Sequence, residues 1–382
     1  MPTVMTFAEP ISAEFRKSAG GLKTTFVAHR DYLLANTQVD RLMQDEQVRS
    51  RVFRLSRIDN RLRPFNATIV PQKPERVLLF NGSGGYGDQI MTWPLAKILA
   101  QRFEVHVLAD PGNEICWWNM PFVRTVQTIP IQWDIVKMFD YFVCFEHLVN
   151  LDEHPDQQHP VDIMLHRVGI DPAIIPDEAK TVQPVFTHGE MASTQQWTSK
   201  GPVGIYQLAS ANQVRALPPS DSAYVLTTLA ERFPHIHWIV TYDEFVSKEY
   251  AELADKMASD RQLQNVSLVA FGSALRELWA LISQAAITVG PDSMVMHIAG
   301  NLGVPCVGLW GPIAPDRRAK YYKNHFPIYH QKFCPHSPCF TYLGNFPRYC
   351  PPRPTPRNVC EVLAGISADE VADAVGKMVR MP

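Results

Sequence analysis

Short apolar runs alternate with helical stretches in two separate sections of this chain, and that alternation constrains the fold more than any other feature. In the first section Val77–Phe80, Val105–Ala109 and Phe142–Phe145 read as strands, with a helix from about Asp88 to Arg102. The polar, irregular stretch from Glu178 to Gly201 reads as a linker. Alternation then restarts: Val203–Tyr206, Trp238–Val240, Val266–Val269, Ala286–Val289 and Val304–Val307 read as strands, and Asp221–Phe233, Ser247–Met257, Ala274–Ser283 and Ser293–Asn301 as helices. Continuous apolar strands joined by helices build parallel sheets covered on both faces. The fold class is therefore α/β, with two such units.

Both flanks depart from this pattern. The first 75 residues show no strand-like apolar runs, and Arg49–Pro64 holds six arginines. At 100° per residue Leu55, Ile58 and Leu62 share a helical face, with Arg54, Arg57 and Arg61 on an adjacent one. Such a face suits an anionic acceptor, and equally a solvated surface beside a leucine stripe. At the other end, Phe326–Pro356 contains eight prolines, too many for regular elements. A final helix follows, with Ser367 and Glu370 as a capping box and Val371, Val375 and Val379 along one side.

Composition narrows the function classes. A formal charge of -2 excludes a generally basic chain, so nucleic acid would need a local patch. The apolar stretch Ser293–Pro315 is interrupted by four Gly and three Pro and reads as core, not as a bilayer span. Glu9, Pro10 and Glu14 stand where an export signal would be apolar. Seven cysteines, an odd number, fit a reducing compartment, and the expected location is the cytoplasm.

The loop after the first strand, Gly82-Ser83-Gly84-Gly85-Tyr86-Gly87, has the spacing G-x-G-x-x-G, with Asp110 at the end of the next strand. A nicotinamide-dependent oxidoreductase using Gly82, Gly84, Gly87 and Asp110 is one reading. Asp88 opposes it, because a carboxylate at the helix start repels a pyrophosphate. The same carboxylate suits a neutral hydroxyl awaiting deprotonation, or simply caps the helix dipole.

In the second unit the strand Ala286–Val289 runs into Gly290-Pro291-Asp292-Ser293, where a helix begins. Ser293 would cap that helix while its first amides face an anion, and His297 lies one turn on along the same face. Arg215 follows the unit's first strand, where parallel sheets bind ligands, and offers bidentate contact to phosphate.

Gly87-Asp88-Gln89-Ile90-Met91-Thr92-Trp93-Pro94, Asp292–Pro305 and Leu309-Trp310-Gly311-Pro312 together resemble glycosyltransferase family 9, whose best-known members are the ADP-heptose:lipopolysaccharide heptosyltransferases. The resemblance implies a GT-B architecture, two Rossmann-like domains facing across a cleft, and inverting transfer needing no metal for catalysis. The implied domains are an N-terminal extension (1–75), an acceptor-side domain (76–190), a nucleotide-sugar domain (200–325), a Pro/Cys-rich segment (326–366) and a terminal helix (367–382). By position Asp88 would be the general base, beside an acceptor-side loop containing Gly84, Gly85 and Gly87. Arg215, Asp292, Ser293, Met294 and His297 would surround the donor diphosphate. Asp243 or Glu244 would accept from the ribose, and Phe271 would pack on the base. The acceptor would be a glycan or lipopolysaccharide core, or a hydroxymethylated nucleic-acid base. Met294 stands where the family carries glycine. A silent sugar-nucleotide binding protein is the remaining reading.

Cys334, Cys339, Cys350 and Cys360 fall within one proline-rich stretch of 27 residues. Their spacing departs from the paired C-x2-C of common zinc modules. A structural zinc would nevertheless staple a segment with little regular structure, the alternative being buried thiols.

Overall fold

The computed structural model describes residues 3–379 except 9–10, 15–22, 50, 58–64, 66–69, 72, 83–84, 146–157, 211–212, 243–251, 253–262, 273 and 340–359. The chain divides into two compact units, Met1–Val149 with Val161–Ile175, and Asn150–Pro160 with Pro176–Pro382.

The leader corrects its sequence reading, because strands stand where none was expected. They are β1 (Thr3–Phe7), β2 (Ile11–Glu14), β3 (Lys23–Phe26), β4 (Asp31–Leu34) and β5 (Val52–Arg57). The supposed helical arginine face starts on β5, where Arg54 pairs with Thr6 and Arg57 with Thr3. A strand repeats every two residues, so positions three apart do not share a face. Arg61 lies outside the described residues. β1 is buried on both sides and alternates between two cores. Met5 and Phe7 join Phe26, Tyr32 and Leu34 in one core, while Val4 joins Leu33, Leu78, Phe80 and Leu108 in the other.

The rest of the first unit is α/β. Strands β6 (Arg76–Phe80), β7 (Glu104–Ala109), β8 (Thr125–Thr128), β9 (Ile131–Gln132) and β10 (Tyr141–Cys144) follow. β9 pairs antiparallel with β4 and extends the leader sheet to β5-β1-β4-β9. The other four form a parallel sheet of order β10-β6-β7-β8. Its first crossover contains the helix Tyr86–Leu99, which buries Ile90, Trp93, Leu95 and Leu99.

The second unit holds β11 (Val203–Gln207), β12 (His237–Tyr242), β13 (Val266–Ala270), β14 (Ile287–Pro291), β15 (Cys306–Trp310) and β16 (His325–Tyr329). All six are parallel, in the order β13-β12-β11-β14-β15-β16. This is the doubly wound arrangement, whose topological switch lies between the first and fourth strands. Helices Pro219–Arg232, Leu275–Ile282 and Met294–Leu302 stand close to where the sequence put them. The helix expected at Ser247–Met257 falls almost wholly outside the described residues. One strand is displaced: Val304 and Pro305 connect helix to strand, and β15 starts at Cys306, since proline cannot donate to a ladder.

The terminal helix Ala368–Met378 begins at Ser367, whose hydroxyl accepts from the Glu370 amide at 3.2 Å. Val371 and Val375 pack in one core with Leu226 and Leu229 of the helix Pro219–Arg232. Among the described residues no helix is long and apolar enough to cross a membrane.

Candidate functional site

In the second unit the loops after β11 and β14 leave neighbouring strands, Tyr206 pairing with Val289, so they emerge side by side at the switch point. The Ser210 hydroxyl donates to the Asp292 carbonyl at 2.9 Å and ties the two loops together. Arg215, in the turn Gln213–Arg215, donates from Nη1 to Asp292 Oδ2 at 3.1 Å. His297 Nε2 lies 3.4 Å from the other oxygen, Oδ1. Sequence positions more than 70 apart thus become one cluster around a buried carboxylate.

Burial works to raise the Asp292 carboxyl. The His297 contact outweighs it, together with the Arg215 and Arg318 charges, and holds the group well below its ordinary value. Asp292 is therefore a permanent anion. Arg318, 4% exposed, also acts on it and was missed in the sequence reading. The only sequence signal was its place in the loop after the Leu309–Pro312 motif, beyond β15.

Ser293 corrects its expected role. It holds the cap position of Met294–Leu302, but its hydroxyl makes no cap bond. Its backbone is extended, with φ -153° and ψ 170°, and the buried Oγ has no hydrogen-bond partner among the described residues. A buried hydroxyl without a partner is costly unless something else supplies one. Beside it, Met294 Sδ accepts from Trp279 Nε1 at 2.9 Å. The side chain that replaces the family's glycine is held against the indole.

The site extends inward through His297. Its Nδ1 lies 2.8 Å from the Tyr322 hydroxyl, and Asn301 Nδ2 donates to its carbonyl at 2.8 Å. Asn301 Oδ1 in turn accepts from the Val182 amide at 2.7 Å. Burial pushes the His325 imidazole down to about 4, and its Nε2 is 3.1 Å from Trp310 Nε1.

In the first unit the corresponding switch lies between β6 and β10. There Asp88 Oδ2 accepts from the Gly85 amide at 3.0 Å, so the capping contact is present. Asn81, at the end of β6, donates to the Asp88 carbonyl at 3.2 Å and to Thr92 Oγ1 at 2.8 Å, fixing the turn. Two features disfavour a dinucleotide here. The Asp88 carboxylate holds an amide that a pyrophosphate would need, and Gly82 is glycine because the Phe80 ring comes within 2.0 Å of any Cβ. Gly87 lies in the first turn of the helix, and Gly84 lies outside the described residues.

The remaining candidates are dispersed. Asp243 and Glu244 lie outside the described residues. Phe271 lines a small recess with Thr194, Trp197 and Leu281. In the tail, Cys334 and Cys360 are buried in one core, whereas Cys350 lies outside the described residues. The Cys339 amide donates to the Pro312 carbonyl at 3.0 Å, and the Ser337 hydroxyl to the Gly311 carbonyl at 2.9 Å. The tail is therefore fastened to the loop after β15. Among the described residues no group of three or more His, Cys, Asp or Glu is placed to hold a metal.

Two Rossmann-type α/β units, with a helix start at the switch point of the second, define the GT-B class. Residues 245–349 match the family model for glycosyltransferase family 9 (heptosyltransferase), so the chain resembles that family by this comparison as well as by its motifs. Lipopolysaccharide heptosyltransferase 2 of Salmonella typhimurium is 29% identical over 100 residues, which cover 23% of this chain and 29% of that protein's length. The solved E. coli ADP-heptose LPS heptosyltransferase II has a TM-score of 0.61 at 15% identity, covering 80% of this chain and 98% of that one. The dodecameric iron-containing heptosyltransferase TibC, in complex with ADP-D-beta-D-heptose, has a TM-score of 0.55 at 13% identity. That likeness covers 99% of this chain and 91% of that one, the leader included.

Proposed function

We propose that the protein is an inverting glycosyltransferase that moves a sugar from a nucleoside diphosphate to an acceptor hydroxyl. The observation that carries this reading is the cluster at the second switch point, where Arg215 and His297 meet buried Asp292 beside the unpartnered Ser293 hydroxyl. The donor diphosphate lies over the start of the helix Met294–Leu302, facing Ser293, the Met294 amide, His297 and Arg215, with Arg318 adding positive charge. Charge that develops on the leaving phosphate meets donors already in place, which lowers the barrier. Asp88 takes the acceptor hydroxyl proton as the oxygen bonds to the anomeric carbon and the nucleoside diphosphate departs. Residues 76–190 hold the acceptor, a glycan, and residues 200–325 hold the donor, with no metal required for the transfer. The ADP-heptose named with the related structures makes an ADP-sugar the first donor to try. The proposed location is the cytoplasm.

Thermal unfolding with ADP-, UDP- and GDP-sugars and with NAD(P) tests this directly. A donor at 100 times its dissociation constant stabilises the fold by about 2.7 kcal/mol. A rise with one nucleotide sugar is expected. A rise with NAD(P) alone would overturn the reading, and donor binding without transfer or hydrolysis would make the protein a silent binder.

A structural metal held by Cys334, Cys339, Cys350 and Cys360 is proposed for a rearranged tail, since Cys334, Cys339 and Cys360 as described form no metal-holding group. Support comes from the shared core of Cys334 and Cys360, and from Cys339 and Cys360 both acting on the Tyr329 hydroxyl. Four thiolates suit tetrahedral zinc, and soft sulfur ligands also suit iron. Elemental analysis of the purified chain is expected to find one metal per protein, lost in a Cys334→Ser/Cys360→Ser variant. Absence of stoichiometric metal would end the idea, and the element found decides between zinc and iron.

A further inference from the structure

We propose that Tyr322 is the positioning residue of the donor site, its hydroxyl donating to His297 Nδ1 and so fixing the imidazole with its single proton on Nε2, toward Asp292. The proposal deepens the donor-site reading and rests on it only for the consequence to nucleotide binding.

Two ends of one chain of contacts point to the same tautomer. At the outer end, Asp292 is an anion and only accepts, so the nitrogen 3.4 Å from its Oδ1 is the one that gains by carrying hydrogen. At the inner end the Tyr322 phenol, buried and held well above its ordinary value mainly by that burial, always keeps its proton. Asn301, which also neighbours the phenol, has its amide nitrogen donating to the His297 carbonyl and its Oδ1 accepting from the Val182 amide. The Nδ1 lone pair, 2.8 Å away, receives the phenol proton. In a histidine the bond made by one ring nitrogen decides what the other offers. Tyr322 thus reaches the donor cluster without touching the ligand.

The helix is shaped to hold this ring. Gly300 lies within Met294–Leu302, where glycine weakens a helix. A Cβ at that position would come within 2.3 Å of the Tyr322 ring. The helix gives up a side chain one turn after His297 so that the Tyr322 ring can lie against Gly300, edge-on to the imidazole with 67° between the ring planes.

The test uses full-length protein labelled with 15N-histidine, with the His297 signals assigned by comparison with His297→Gln. The wild-type spectrum is expected to show Nε2–H and an unprotonated, hydrogen-bonded Nδ1. A proton on Nδ1, alone or together with one on Nε2, overturns the proposal without any variant. Tyr322→Phe, which removes only the hydroxyl, is expected to convert the single tautomer into a mixture. It should raise the donor KM about 3- to 10-fold with kcat within about twofold, as loss of one hydrogen bond implies. Unchanged His297 nitrogen shifts in Tyr322→Phe also overturn it. If the nitrogen signals behave as expected but no nucleotide sugar binds the wild type, the donor reading falls and the tautomer assignment stands.

Discussion

Asp88→Asn is expected to lower turnover by about 10²- to 10⁴-fold, the range a positioned general base supplies, while donor-induced stabilisation persists. The substitution is chosen because Asp88 has two duties that must be separated. Its Oδ2 accepts from the Gly85 amide at 3.0 Å at the start of Tyr86–Leu99. An asparagine oxygen can still accept that bond, yet the amide has no basicity to take a proton from a hydroxyl. Asp88→Ala would remove both functions and add a capping loss of about 1 kcal/mol. Steady-state turnover and the unfolding midpoint, measured on both variants, distinguish the two duties. Wild-type turnover in Asp88→Asn would leave the residue as a helix cap only.

Arg215→Ala should weaken donor binding about 10- to 100-fold, the loss expected when a hydrogen bond to a charged group is removed. It should also destabilise the fold. Asp292 is 5% exposed and Arg215 20%, and breaking a buried pair costs about 3–5 kcal/mol because the remaining charge stays buried. The partial exposure of Arg215, and the presence of His297 and Arg318 at the same carboxylate, place the cost toward the lower end of that range. An Arg215→Met/Asp292→Leu variant discriminates stability from binding, since removing both charges should recover much of the stability and none of the affinity. Calorimetric titration with the donor provides the measurement, and wild-type affinity in Arg215→Ala would contradict the assigned role. The pH dependence has a fixed sign. Because the Asp292 carboxyl lies below its ordinary 3.8 in the folded chain, the stability it adds is complete above that value. That contribution declines as pH falls further, and Asp292→Leu/Arg215→Met should lose this part of the acid sensitivity.

Much of the fold was legible because the central parallel strands of the two α/β sections are buried, continuous apolar runs flanked by helices. Val77–Phe80 and Val203–Tyr206 are continuous apolar words, and the helices between them carry their own caps and periods. The leader was illegible for the opposite reason. Its strands are short, and β1 acquires meaning only from partners 25 to 54 positions away, such as Leu34 and Arg57 on either side of Thr3. Local periodicity cannot register such pairings, and a chance helical spacing of arginines took their place. The site shows the same division. Asp292, Ser293 and His297 stand together in a motif and could be read from it, whereas Tyr322 and Arg318 belong to an irregular loop without a pattern.

Two α/β units, the glycine turn before Asp88 and the helix start at Ser293 could be read from residue order, because each is a local matter of burial, turn chemistry and helix ends. Only the tertiary structure decided what surrounds them. It brought Arg215 onto Asp292, turned Met294 onto Trp279, left the Ser293 hydroxyl without a partner among the described residues and set Tyr322 against His297. The physical reason is that a side chain's charge and proton depend on whatever the folded chain places within about 3 Å of it, and those neighbours are distant in sequence.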